Sequence, residues 1–279
     1  MDRVAIVGNG VMAQGIASVC IIHGYEVSII SRSELNIQSS RNNILRMSKK
    51  VVAKNKMDVC SDDLVNKLSF SCSFEDISNC GIIIESVTED LMVKQKVLKS
   101  IEQYRCVDSI VATNTSSISI TELASYSKTP ESFIGLHFFN PAPVMALTEI
   151  VKGMLTSDEC IDKTFKFATS LEKSPVIVED SPGFVVNRLL IPMINEAINA
   201  LSEGVASALD IDSAMKLGAN HPIGPLSLAD LIGNDVCLSI LDSLHQETGD
   251  QKYRASPLLR KMVRANVLGR KTKKGFFNY

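Results

Sequence analysis

The segment VAIVGNGVMAQGIA, residues 4–17, carries an apolar strand directly into a glycine turn and then into a helix. Gly8, Gly10 and Ala13 fit the spacing G-x-G-x-x-G/A of a dinucleotide-binding βαβ unit. In that unit the first glycine permits the tight turn, and the second lets the backbone approach a diphosphate. The third position takes the close strand–helix contact. The helix start then offers its unpaired amides to the anion. An acidic residue that grips the adenosine ribose is expected about 20 residues further on, at the end of the second strand. This chain has Ser31 and Arg32 there. A serine and an arginine remove the repulsion of a 2′-phosphate and supply a cation to pair with it. Two readings stay open: tolerance of or preference for NADP, or a solvated Arg32 with Glu34 holding the ribose.

Apolar runs bounded by turns predict buried parallel strands at 3–7, 26–30, 68–70, 81–85, 109–112 and 133–136. Further strands are expected in MALTEIVKG and PVIVED. Helices fall between them. One is capped by Ser33 and runs from Glu34 into the basic RMSKKVVAKNK; another covers 91–102. Alternating βα units predict a Rossmann-type, doubly wound, mostly parallel α/β sheet over residues 1–182. From Gly183 the texture becomes helical, with apolar residues at three- and four-residue steps in NRLLIPMINEAINALSEG, ASALDIDSAMKLG, SLADLIGNDVCLSILDSL and PLLRKMVRAN. Residues 183–279 therefore read as a second, all-helical domain, with breaks at Gly204, Gly218 or Pro225. A hydrophobic content of 45% suffices for both cores.

The bulk numbers exclude several classes of function. A net charge of −2 gives no field for nucleic acid or an anionic membrane. The seven cysteines form no C-x-x-C pair, which argues for a reducing compartment over disulfides or zinc. The four histidines show no metal-ligand spacing. No signal peptide or membrane span is read, so a soluble, cytoplasmic protein is expected.

Candidate chemistry sits after the later strands. Asn114, Thr115, Ser116 and Ser117 follow a buried strand, at the end where ligands bind in open α/β sheets. His137 ends the next strand and is followed by Asn140 and Pro141. Histidine suits general acid–base work because its ordinary pKa lies near neutrality. It needs an orienting partner, and Glu149 supplies one if the chain between them loops back. Asn187 opens the long helix after DSPGFVV. Each has a plainer alternative, such as a helix cap or a core histidine.

GxGxM, NTSS, HFFNPxPVMxLxE, PGFxxNR, LGxxxPxGPxxLxDxxG and GRKxxxGFFxY occur in this order across the chain. Together they resemble the 3-hydroxyacyl-CoA dehydrogenase family, from Val4 to Tyr279. The resemblance implies hydride transfer between a nicotinamide, NAD(P), and C3 of a short-chain 3-hydroxyacyl thioester. It implies His137 and Glu149 as the catalytic pair, with Ser116 and Asn187 at the substrate. It implies a cofactor site drawn from Gly8, Gly10, Val11, Met12, Ser31, Arg32, Glu89, Lys94, Asn114, Ser116, Asn140 and Lys271. Thioester contacts are expected from the basic helix, at Ser48; Asn55 stands where a lysine is common, and the flanking Lys54 and Lys56 could compensate. A homodimer through the helical domain is implied as well. The rivals are an acyl-carrier-protein or sugar-acid dehydrogenase, and a non-catalytic dinucleotide-binding protein.

Overall fold

The apolar runs become β1 (Arg3–Val7), β2 (Glu26–Ile30), β3 (Leu68–Ser71), β4 (Ile82–Glu85), β5 (Ile110–Thr113), β6 (Phe133–Phe138), β7 (Leu147–Lys152) and β8 (Ser174–Glu179). In this computed structural model, which describes residues 2–279, they form one sheet in the order β3-β2-β1-β4-β5-β6-β7-β8. Pairing is parallel from β3 through to β6, and again between β7 and β8. β7 runs antiparallel to β6. Only residues 139–146 join those two strands, too few for the crossover that a parallel neighbour requires. The order reverses between β1 and β4, so the carboxyl ends of those strands open the crevice where ligands bind in such sheets.

Between the strands lie α1 (Val11–Ile22), α2 (Ile37–Asn55), α3 (Ser61–Asn66), α4 (Leu91–Tyr104), α5 (Ile120–Ala124) and α6 (Asp158–Ser170). α1 is buried from Gly15 to Ile22 and packs with β1, β2 and β4 into the core of this unit. Burying each Ile, Val or Leu side chain there contributes about 1.5–3 kcal/mol. One detail of the helix reading is corrected. Glu34–Asn36 form a short 3₁₀ turn with no side-chain cap from Ser33, and α2 proper begins at Ile37. The Ser33 carbonyl instead accepts a hydrogen bond from Ser31 Oγ at 2.9 Å.

The chain divides into two compact units, Met1–Ser181 and Pro182–Tyr279. The second contains α7 (Val186–Ser202), α8 (Ala208–Gly218), α9 (Pro225–Ile232), α10 (Asn234–Thr248) and α11 (Pro257–Arg264) around its own core of Ile191, Ile194, Ile198, Leu226, Leu241 and Leu259. The run SLADLIGNDVCLSILDSL, read from sequence as one helical stretch, is two helices. Gly233, at φ +107°, ends α9 and starts α10. The GFFxY tail is held on α9: the Phe276 and Phe277 amides donate to the buried Asp230 carboxylate, each at 3.0 Å. No helix among the described residues is long and apolar enough to cross a membrane.

Candidate active site

The dinucleotide turn follows β1. Gly8 adopts φ +123°, and a Cβ there would collide with the Ser86 carbonyl at the end of β4. Glycine is therefore imposed by the close approach of two strand ends as well as by the turn. At Gly10 the reverse holds: nothing lies within 4 Å of where a Cβ would sit. Gly10 precedes α1, whose first turn carries no acidic side chain. Gln14 Nε2 ties the turn down through the Asn9 carbonyl at 2.9 Å and Ser40 Oγ at 3.1 Å. An open glycine cradle before an amide-rich helix start fits the diphosphate of a dinucleotide. Val11 is exposed beside it, and Met12 packs partly against the core. Beyond β2, Ser31 is buried and Arg32 is exposed.

A buried ionic chain lines the next strand ends. Glu85 closes β4 with no solvent exposure, and Lys94 of α4 donates to its two oxygens at 2.9 and 3.0 Å. Thr113 Oγ1 and the Val87 amide complete the shell at 2.6 and 2.7 Å. Lys94 also pairs with Glu89 at 3.2 Å. Glu89 Oε1 in turn accepts from Thr115 Oγ1 at 2.6 Å, from the Ser116 amide at 2.8 Å and from Ser117. Ser116 Oγ donates to it at 3.1 Å. Burial alone would raise the Glu89 carboxyl. Lys94 and these hydrogen bonds outweigh it and hold the group below its ordinary range. Lys94, expected at the cofactor, has its ammonium buried and engaged by the carboxylates of Glu85 and Glu89. The NTSS loop is thus wrapped around one anion. Asn114 Oδ1 accepts from the Phe138 amide at 2.9 Å and fixes the end of β6.

His137 and Glu149 face one another directly in the β6–β7 register. Nδ1 lies 2.8 Å from Glu149 Oε2, and both side chains are buried. A buried carboxylate accepting at Nδ1 fixes the tautomer, and Nε2 becomes the nitrogen that exchanges protons. The Phe139 ring packs on the imidazole at 4.5 Å between centroids, and Asn140 follows it on the exposed side of the turn.

Other expected residues take different positions. Ser48 is fully buried, bonded to Ser18 Oγ at 2.9 Å and donating to the Ile44 carbonyl at 2.9 Å. It joins α2 to α1. Lys54 and Asn55 are exposed at the end of α2. In the second unit Asn187 lies in the first turn of α7, and Lys271 Nζ donates to Asp235 Oδ2 at 2.6 Å. Glu85 and Gln14 escaped the sequence reading. An acid ending the apolar run IIIE was the one available signal for Glu85.

Residues 3–181 match the NAD binding domain of 3-hydroxyacyl-CoA dehydrogenase, and residues 183–279 match its C-terminal domain. The chain is 48% identical over 278 residues to a 3-hydroxybutyryl-CoA dehydrogenase of Clostridioides difficile, covering 99% of each. It is 43% identical to one of Bradyrhizobium diazoefficiens, covering 100% of this chain and 96% of that one. A crystal structure of (S)-3-hydroxybutyryl-CoA dehydrogenase from Ralstonia eutropha superposes with a TM-score of 0.96 at 43% identity, over 100% of this chain and 99% of that one. The chain belongs to the 3-hydroxyacyl-CoA dehydrogenase family. It is an oxidoreductase acting on a CH–OH group with a nicotinamide cofactor.

Proposed function

We propose that the chain interconverts a short-chain 3-hydroxyacyl-CoA and its 3-oxoacyl-CoA, with 3-hydroxybutyryl-CoA and acetoacetyl-CoA as the preferred pair. The observation that carries this reading is the buried His137–Glu149 pair on adjacent strands of a sheet that also bears an open dinucleotide turn. When bound, the nicotinamide accepts or supplies the hydride. In oxidation His137 Nε2 takes the proton of the C3 hydroxyl; in reduction the imidazolium returns it. Glu149 holds the ring and favours its charged form. By the correspondence of motifs, Ser116 and Asn187 hydrogen-bond the reacting oxygen, where charge develops. Asn114, Asn140, Glu89 and Lys271 serve the nicotinamide side.

The exposed Arg32, with no carboxylate at Ser31, supports acceptance of NADPH beside NADH. α2 displays Arg46, Lys49, Lys50 and Lys54 and contains no acidic residue, which suits the phosphates of CoA. Leu189, Leu209 and Leu217 are exposed on the helical unit and support a homodimer through it. Initial rates with acetoacetyl-CoA, a carrier-bound acetoacetyl group and free 3-oxo acids, each against NADH and NADPH, test the reading. Fastest turnover on the CoA thioester is expected. Preference for the carrier-bound group or a free acid would replace it.

A further inference from the structure

Lys173 takes no part in the chemistry above, yet it is half buried where α6 hands over to β8. Its Nζ donates to the Ala142 carbonyl at 2.7 Å and to the Met145 carbonyl at 2.9 Å. Both carbonyls belong to residues 139–146, which join His137 on β6 to Glu149 on β7 and carry Asn140. The same segment is turned tightly, with the Val144 and Met145 amides both donating to the Pro141 carbonyl at 2.9 and 3.1 Å. On its other side Ala142 packs onto α1. A Cβ built at Gly15 would lie 3.3 Å from Ala142 Cβ and 3.6 Å from Pro143. The turn is therefore clamped between the helix that follows the glycine cradle and a single ammonium that serves two carbonyls.

Burying an ammonium opposes its charge, and burial does push Lys173 down from its ordinary value. Both of its hydrogen bonds nevertheless go to the turn between the catalytic partners. We propose that Lys173 is a positioning residue: it fixes the 139–146 turn so that Asn140 and the β6–β7 hairpin meet the nicotinamide in productive geometry. This rests on the reading of Asn140 as a nicotinamide contact.

The test uses the full chain with Lys173→Met, Lys173→Gln and Lys173→Arg. NADH dissociation constants are measured by cofactor fluorescence well below each variant's melting temperature, and steady-state constants with acetoacetyl-CoA follow. Loss of charged hydrogen bonds should weaken NADH about tenfold in Lys173→Met and change KM for acetoacetyl-CoA less than about twofold. Lys173→Arg, whose guanidinium can serve both carbonyls, should recover to within about threefold of the parent. Lys173→Gln keeps an uncharged, shorter amide donor and should fall between; it carries the test if the methionine variant does not fold. A lowered melting temperature with NADH affinity within about twofold of the parent would overturn the proposal, leaving Lys173 a purely structural group. So would an arginine variant that binds NADH as weakly as the methionine one. NADH binding needs no thioester. If the parent binds NADH but does not reduce acetoacetyl-CoA, the substrate reading fails and the Lys173 test stands.

Discussion

Replacing Glu149 by glutamine keeps the shape of the side chain and removes its charge. The carboxylate is 1% exposed and lies 2.8 Å from Nδ1 of His137, itself 6% exposed. Two unit charges about 4 Å apart interact by about 4 kcal/mol at an effective dielectric of about 20. That is the extra stabilisation the carboxylate gives imidazolium over neutral imidazole, so it bounds the loss. At about 1.4 kcal/mol per decade, the bound is about 10³ in kcat. A transition state with the proton half transferred feels about half of the effect, about 30-fold. Glu149→Gln is therefore expected to lose about 30- to 1000-fold in kcat in the oxidative direction, at saturating 3-hydroxybutyryl-CoA, where imidazole gains its proton. The assay is NADH formation followed by absorbance, with NADH affinity taken separately by fluorescence. Retention of kcat within about threefold would refute the electrostatic reasoning. So would a loss accounted for entirely by weaker NADH binding.

Arg32→Ala should weaken NADPH more than NADH in parallel titrations; equal losses for the two cofactors would remove the phosphate reading. Glu85→Gln leaves the Lys94 ammonium buried without its main partner, at a cost of about 3–5 kcal/mol. For a unit of this size that lowers the melting temperature by roughly 6–20 °C in calorimetry; a shift under about 2 °C would contradict the pairing. The Glu89 carboxyl is held below its ordinary range in the folded chain. Its stabilising contribution is therefore fully present above the unfolded value, about 4.3, and is lost as pH falls through the lower folded value. Amide exchange at Ser116 and Ser117 should stay protected through the ordinary carboxylate range and rise only below it, whereas Glu89→Gln should expose these amides at neutral pH. Early loss of protection in the parent, near the unfolded value, would count against this.

The architecture was legible because its signals are local. Continuous apolar runs mark strands buried on both faces, and GNG between a strand and a helix marks the first crossover. The change of period after Gly183 marks the helical unit. What escaped depends on residues far apart in sequence. The hydrogen bond of Ser48 to Ser18 of α1, 30 residues earlier, has no local signal. The pairing of Lys94 with Glu85 likewise appears only once the β4–α4 connection brings them together. His137 and Glu149 could be proposed as partners from sequence. Their register across an antiparallel pair is set by the turn between them, which Lys173 contacts from outside. The break at Gly233 was hidden because the apolar spacing continues across it.

The central claim, that a buried His137–Glu149 pair runs hydride transfer on a short acyl-CoA, is tested most directly by comparing His137→Gln with the parent. Turnover of acetoacetyl-CoA with NADH and NADH binding are measured on the same preparations. The expected result is a kcat lower by about 10²–10⁴, with the NADH dissociation constant within about twofold. Near-parental turnover in His137→Gln would contradict the claim.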